Sequence, residues 1–244
     1  YVTDLEIESN EGIDAQEQMT GNGISIALNE GSYTFPDQKK ATFQNLNLSI
    51  EPGEKVVIAG PNGSGKSSLL YLLAGIYSPS EGGLLYDDIP FSNLELDSIR
   101  NIKGSFLDDE IIFEGTVLEI IAMGLDLATF ENVQWAVRNL GLKPFIDGLP
   151  NGFDTPLDPV NQGLPKSIIQ KLLLARAIVI KPQALFLEQP LLHMNVTERN
   201  EIIDFLLNHE NKWTLVVVSS MSYFAVKADK TLILNEGKIK HFEK

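Results

Sequence analysis

The sequence predicts an α/β fold with a mostly parallel sheet, and three observations carry that expectation. Apolar runs at Val56-Val57-Ile58, Ala184-Leu185-Phe186-Leu187 and Leu215-Val216-Val217-Val218 mark strands buried on both faces. Helical patterns separate these runs, as connections between parallel strands require. Directly after the first run stands Gly60-Pro61-Asn62-Gly63-Ser64-Gly65-Lys66-Ser67, which fits G-x-x-x-x-G-K-[ST] without a mismatch. A length of 244 residues with 43 % hydrophobic content suits one large domain, or a core with small subdomains.

In chain order, residues 1–22 come first, with acidic and polar text (Glu6, Glu8, Glu11, Asp14, Glu17) and no sustained apolar period. They read as a linker. Tyr1 is not a natural initiator, so the chain reads as a piece of something longer. From Gly23 the pattern turns β-like: Ile24, Ile26 and Leu28 alternate, Ser32 to Phe35 follow, and Pro36-Asp37 breaks the run. Phe43, Leu46, Leu48 and Ile50 continue the strand signal up to the turn Glu51-Pro52-Gly53-Glu54. Lys55 to Ala59 is the strand before the glycine loop, and Ser67 to Ala74 is the helix after it, with Gly75 as its stop. A Pro/Ser/Gly loop (78–83) leads to the short strand Leu84-Leu85-Tyr86. Residues 111–170 read as mainly helical, with Gly/Pro punctuation at 148–165, and a further helix runs over 166–180. Asp204 to Leu207 lie on a helix between the last two buried strands. Thr231 to Ile239 reads as a hairpin turning at Asn235-Glu236-Gly237.

Nineteen basic against 33 acidic residues give a net charge of −14. No basic stripe is left to neutralise a phosphate backbone, so nucleic acid is not an expected partner. The absence of cysteine excludes disulfides and thiolate metal sites and fits a reducing compartment. No run of about 18 apolar residues is present to span a bilayer, and no signal peptide is visible.

The glycine loop gains meaning from its setting between strand and helix. Gly60, Gly63 and Gly65 let the backbone bend so that successive N–H groups converge on one concavity. Those donors and the helix N-terminus suit phosphates, Lys66 reaches the outer ones, and the Ser67 hydroxyl can ligate Mg²⁺. A nucleoside triphosphate is the expected ligand.

Over residues 23–244 the order of features resembles the nucleotide-binding domain of an ABC transporter of the exporter type. Tyr33-Thr34-Phe35-Pro36 resembles the aromatic text that stacks on adenine, with Phe35 in the stacking place. Ile112 to Val117, Gly152 to Thr155 and Ala175-Arg176-Ala177-Ile178 resemble further stretches of such domains. The resemblance implies a P-loop NTPase core, an N-terminal antiparallel β subdomain and an inserted helical subdomain at about 111–170. It implies ATP and Mg²⁺, with Phe35, Gly60, Asn62, Gly63, Ser64, Gly65, Lys66, Ser67 and Ser68 binding nucleotide. Ser67, Asp108 (or Asp109 in a register one residue later) and Glu188 would stand around the metal. It also implies a transmembrane domain, linked through residues 1–22 or associated, a second nucleotide-binding domain in a homo- or heterodimer, and a place on the cytoplasmic face of the membrane.

The sequence leaves the family pattern at several positions. The place of the signature Leu-Ser-Gly-Gly-Gln is held by Leu164-Pro165-Lys166-Ser167-Ile168. Glu188 stands where the Mg²⁺-associated aspartate is found, and Gln189 where the catalytic glutamate is found. A neutral amide can orient water but cannot take its proton. Ser220 holds the place of a histidine that contacts the γ-phosphate, and is short and uncharged. The expectation is therefore ATP binding with weak or absent hydrolysis. The alternatives are an ATPase active despite these changes and a soluble ABC protein without a membrane partner.

Overall fold

The computed structural model describes residues 12–36, 38–107, 112–158 and 163–243, and side chains only through residue 240. Its elements in chain order are α1 (Ala15–Gln18), β1 (Ile26–Tyr33), β2 (Phe43–Ile50), β3 (Lys55–Ala59), α2 (Lys66–Leu73), β4 (Glu81–Tyr86) and β5 (Ile89–Pro90). Next come α3 (Leu96–Ile102), β6 (Lys103–Phe106), β7 (Gly115–Thr116), α4 (Val117–Ala122), α5 (Phe130–Asn139), α6 (Lys143–Asp147), β8 (Pro156–Leu157) and α7 (Lys166–Ile178). The chain continues through β9 (Ala184–Glu188), α8 (Val196–Leu207), β10 (Thr214–Val218), α9 (Ser222–Lys227), β11 (Lys230–Asn235) and β12 (Lys238–Glu243).

A six-stranded sheet in the order β12-β11-β3-β10-β9-β6 forms the centre, parallel except for β12. An antiparallel sheet in the order β2-β1-β4-β5 forms the second layer. The fold is thus a P-loop NTPase α/β core with an antiparallel β subdomain, as the sequence predicts.

The apolar runs take part in two cores at once, because side chains alternate across a strand. Val57, Leu185, Leu187, Leu215 and Val217 face the core shared with α4, α5, α7 and α8. Val56, Ile58, Phe186, Val216 and Val218 face the core shared with β1, β2 and α2. A charge in any of these runs would enter one core or the other, which explains their composition.

Within 111–170 the structure describes α4, α5, α6 and the start of α7 together with the short antiparallel pair β7–β8, and local signals hold the helices. Thr116 and Glu119 form a capping box, the Thr116 hydroxyl accepting from the Glu119 N–H at 3.1 Å and Glu119 accepting from the Thr116 N–H at 2.8 Å. Thr129 caps α5 through the Asn132 N–H at 3.3 Å. Among the described residues no helix is long and apolar enough to cross a membrane.

One segment departs from its plain reading. The acidic text before Gly23 has no apolar period, yet from residue 12 onward it packs on the domain. Ile13 exchanges backbone hydrogen bonds with Asn93 and Glu95 (2.8 and 2.9 Å), and the Ala15 N–H donates to the Ser98 hydroxyl at 2.8 Å. Asp14 caps α1, while Ala15 and Met19 are buried beside α3. One buried side chain in a four-residue helix, with Met19 just after it, is too little for a periodic signal.

Gly104 of β6 sits where α7 crosses the sheet. A Cβ there would run into the Ala177 carbonyl and meet Leu185 Cδ1 at 3.0 Å. Gly104→Ala is expected to lower stability by about 1–3 kcal/mol, the usual cost of overpacking. The denaturant midpoint checks this, and a wild-type midpoint would mean that α7 moves away freely.

Candidate functional site

Ile58 and Ala59 end β3 at the carboxyl edge of the parallel sheet, and the glycine loop begins there. Its glycines adopt backbone that only glycine takes easily: φ is +143° at Gly60, +76° at Gly63 and +93° at Gly65. Two of them also allow close approach. A Cβ on Gly60 would strike the Leu234 carbonyl of β11, and one on Gly65 would come within 2.6 Å of Thr42 Cγ2. Gly65 caps α2 at its N-terminus without a side-chain hydrogen bond, so the first N–H groups of the helix remain for a ligand.

The loop floors a cleft of about 1010 Å³. Phe35, Asn62, Gly63, Ser64, Gly65, Lys66, Ser67 and Ser68 all line it, so the structure gathers these expected binding residues in one place. Gly60 lies just beneath them. Lys66 Nζ donates to the Pro61 carbonyl at 2.7 Å, folded over the loop. The Ser64 hydroxyl is buried without a hydrogen-bond partner, and Ser68 is buried as well.

Phe35 forms the far wall. Its ring meets Tyr33 edge-on at 5.1 Å and Tyr77 at 6.1 Å, while Tyr33 and Tyr77 stack on each other at 5.0 Å with planes 2° apart. Tyr33 is buried, and burial followed by the Tyr77 phenol raises its pKa. The partly buried Phe35 is thus the ring of this trio that lines the cleft. Behind α2, Lys103 Nζ donates to the Ala74 carbonyl at 2.8 Å and so caps the C-terminus of the loop helix. Burial, with Arg100 adding to it, brings that ammonium down to about 8.

The acidic end of β9 meets the loop. The Ser67 hydroxyl donates a short hydrogen bond to Glu188 Oε1, and Glu188 Oε2 is buried without a partner. Gln189 follows with φ +45°, held by its N–H to the Val218 carbonyl at 3.0 Å, and its Oε1 is also buried and unpartnered. These orphaned oxygens beside a serine hydroxyl fit an oxygen-seeking cation such as Mg²⁺. Among the described residues no cluster of three or more Asp, Glu, His or Cys could hold a metal alone. Phosphate oxygens of a nucleotide would have to complete such a shell.

Other expected residues lie elsewhere. Ser220 is exposed at the end of β10 and does not line the cleft. Asp108 and Asp109 lie outside the described residues. Pro165 precedes α7 without a side-chain cap hydrogen bond, and Lys166 is exposed on its first turn, away from the cleft. Sequence reasoning missed Gln38, Lys40, Ala41 and Thr42 from the β1–β2 loop, and Asn235-Glu236-Gly237 from the β11–β12 turn. Only the pairing of β11 with β3, which sets Ile233 opposite Ala59, brings that turn to the cleft.

A parallel sheet with a glycine loop at its carboxyl edge defines a P-loop NTPase fold. Residues 43–192 match the family model described as "ABC transporter", and this chain belongs to that family. It is 26 % identical over 236 residues to the uncharacterised ABC transporter ATP-binding protein YfiB of Bacillus subtilis (strain 168), covering 96 % of this chain and 41 % of that protein. It is 27 % identical over 218 residues to the ATP-dependent lipid A-core flippase of Bordetella avium (strain 197N), where 88 % of this chain covers 36 % of the flippase. A bacterial Atm1-family ABC exporter solved with ATP bound superposes with a TM-score of 0.83 at 25 % identity, over 91 % of this chain and 39 % of the exporter chain. The chain therefore spans well under half the length of these relatives.

Proposed function

We propose that this chain is the ATP-binding domain of an ABC exporter, coupling ATP binding to transport with little or no hydrolysis. The observation that carries the reading is the joined site: an open glycine loop whose Ser67 reaches Glu188, followed by a glutamine where a general base is needed. In this reading the backbone N–H groups of residues 63–67 and Lys66 hold the phosphates, and Phe35 holds the base. Ser67 and Glu188 stand where Mg²⁺ would join the outer phosphates, and that ion would supply charge neutralisation when bound. Gln189 orients water without removing its proton, and Ser220 adds no charge.

A transmembrane domain, linked through the segment before Gly23 or associated, and a second nucleotide-binding domain complete the proposed assembly on the cytoplasmic face of the membrane. Exposed apolar side chains on and around the helical region (Phe113, Met123, Leu127, Phe130) support a docking partner there. A melting shift with Mg-ATP, measured beside phosphate release on the same sample, tests the reading.

Phe35→Ala is expected to weaken ATP and ADP alike, by the roughly 1–3 kcal/mol that stacking on a nucleobase contributes. Calorimetry with both nucleotides checks it. Wild-type affinity would make Phe35 a packing partner of Tyr33 and Tyr77 alone.

A further inference from the structure

The β1–β2 loop brings a second cation to the phosphate cleft. Among the described residues, the charged side chains lining the cleft are Lys40, Lys66 and Glu236. With the Glu188 carboxylate bonded to Ser67 behind this lining, two cations stand against two carboxylates, a more even balance than the chain's 33 acidic and 19 basic residues. Lys40 is exposed and has no hydrogen bond or ion pair among the described residues, so its ammonium is available. The loop carrying it is braced on both sides: the Gln38 N–H donates to the Phe35 carbonyl at 3.1 Å, and the Thr42 N–H donates to the Tyr33 carbonyl at 2.8 Å. Thr42 in turn rests against Gly65. Lys40 is thus held between the aromatic wall and the glycine loop.

We propose that Lys40 binds the phosphate chain of the nucleotide as the second cation of the site. The proposal rests on the nucleotide-binding reading above and adds to it a residue that the glycine-loop motif does not contain. A nucleoside di- or triphosphate carries several negative charges, while the motif supplies one lysine and the Glu236 carboxylate also lines the cleft, on the turn that lies against Thr42. A second ammonium balances that carboxylate and acts without any metal ion. Its contact lies at the solvent-facing rim, so it weakens with salt.

Calorimetry of ATP and ADP, in EDTA and in Mg²⁺, tests this with Lys40→Ala, Lys40→Arg and Lys66→Ala. Lys40→Ala is expected to weaken both nucleotides roughly fivefold, the scale of one exposed charge contact. Lys40→Arg should restore affinity, and the affinity of Lys40→Ala should fall less steeply with KCl than that of the wild type. An unchanged melting temperature for the free variant confirms that the exposed substitution leaves the fold intact. If Lys66→Ala weakens binding and Lys40→Ala does not, the second cation is ruled out while the nucleotide site stands. If neither does, both readings fall together. Loss in Lys40→Ala that Lys40→Arg fails to restore would assign the effect to loop shape and overturn the proposal.

Discussion

Lys66→Ala is expected to weaken ATP binding by at least tenfold. Lys66 leaves the N-terminal turn of α2 with its ammonium over the loop, bonded among the described residues to the Pro61 carbonyl alone, at 2.7 Å. That bond is one a water or phosphate oxygen can replace, so a bound phosphate gains the ammonium at small cost. Charge-assisted hydrogen bonds contribute about 1.5–3 kcal/mol, which corresponds to one or two orders of magnitude in affinity. Calorimetry on folded protein, matched by melting temperature without ligand, measures the difference. An unchanged dissociation constant would mean that the cleft above residues 60–67 is not where ATP binds.

Much of this site was legible in the sequence because its centre is local. Strand, glycine loop and helix occupy consecutive residues, and backbone geometry demands glycine at Gly60 and Gly65 whatever surrounds them. The buried strands were legible for a different reason. A strand that serves two cores has no solvent face, so Val216 and Val217 must both be apolar although they point in opposite directions. What stayed hidden depends on long-range pairing. Asn235 to Gly237 reach the cleft only through β11 lying beside β3, and no text within the turn announces it. Lys40 and Thr42 read as ordinary loop residues until Gly65 and Tyr33 fix the loop's place. The docking of α1 was hidden because its affinity for the domain lies in single contacts, such as Ala15 to Ser98, rather than in a period. Glu188 lies beside Ser67 in the structure, and Ser220 is exposed just after β10.

The purified protein is expected to bind Mg-ATP and to turn it over very slowly, and Gln189→Glu alone is not expected to cure this. Binding should appear as thermal stabilisation of about 2.7 kcal/mol when free ATP is at 100 times its dissociation constant. Loss of a general base typically costs about 10²–10⁴ in rate, and Gln189 has no proton-accepting form at neutral pH. Restoring a carboxylate meets a local obstacle. The Gln189 amide oxygen is buried without a partner, directly after Glu188, whose own Oε2 is buried and unpartnered. A second carboxylate there adds desolvation and like-charge repulsion, both of which favour the protonated acid over the base that hydrolysis needs. Ser220 and the altered stretch from Leu164 to Ile168 would also remain, and groups that act on one transition state do not recover additively. Phosphate release measured beside the melting shift, on wild type and on Gln189→Glu, decides the matter. Wild-type turnover at an ordinary enzymatic rate of about 1–10 s⁻¹ that Lys66→Ala abolishes would show an active hydrolase. A variant Gln189→Glu that gains a hundredfold or more would show that the base alone was missing.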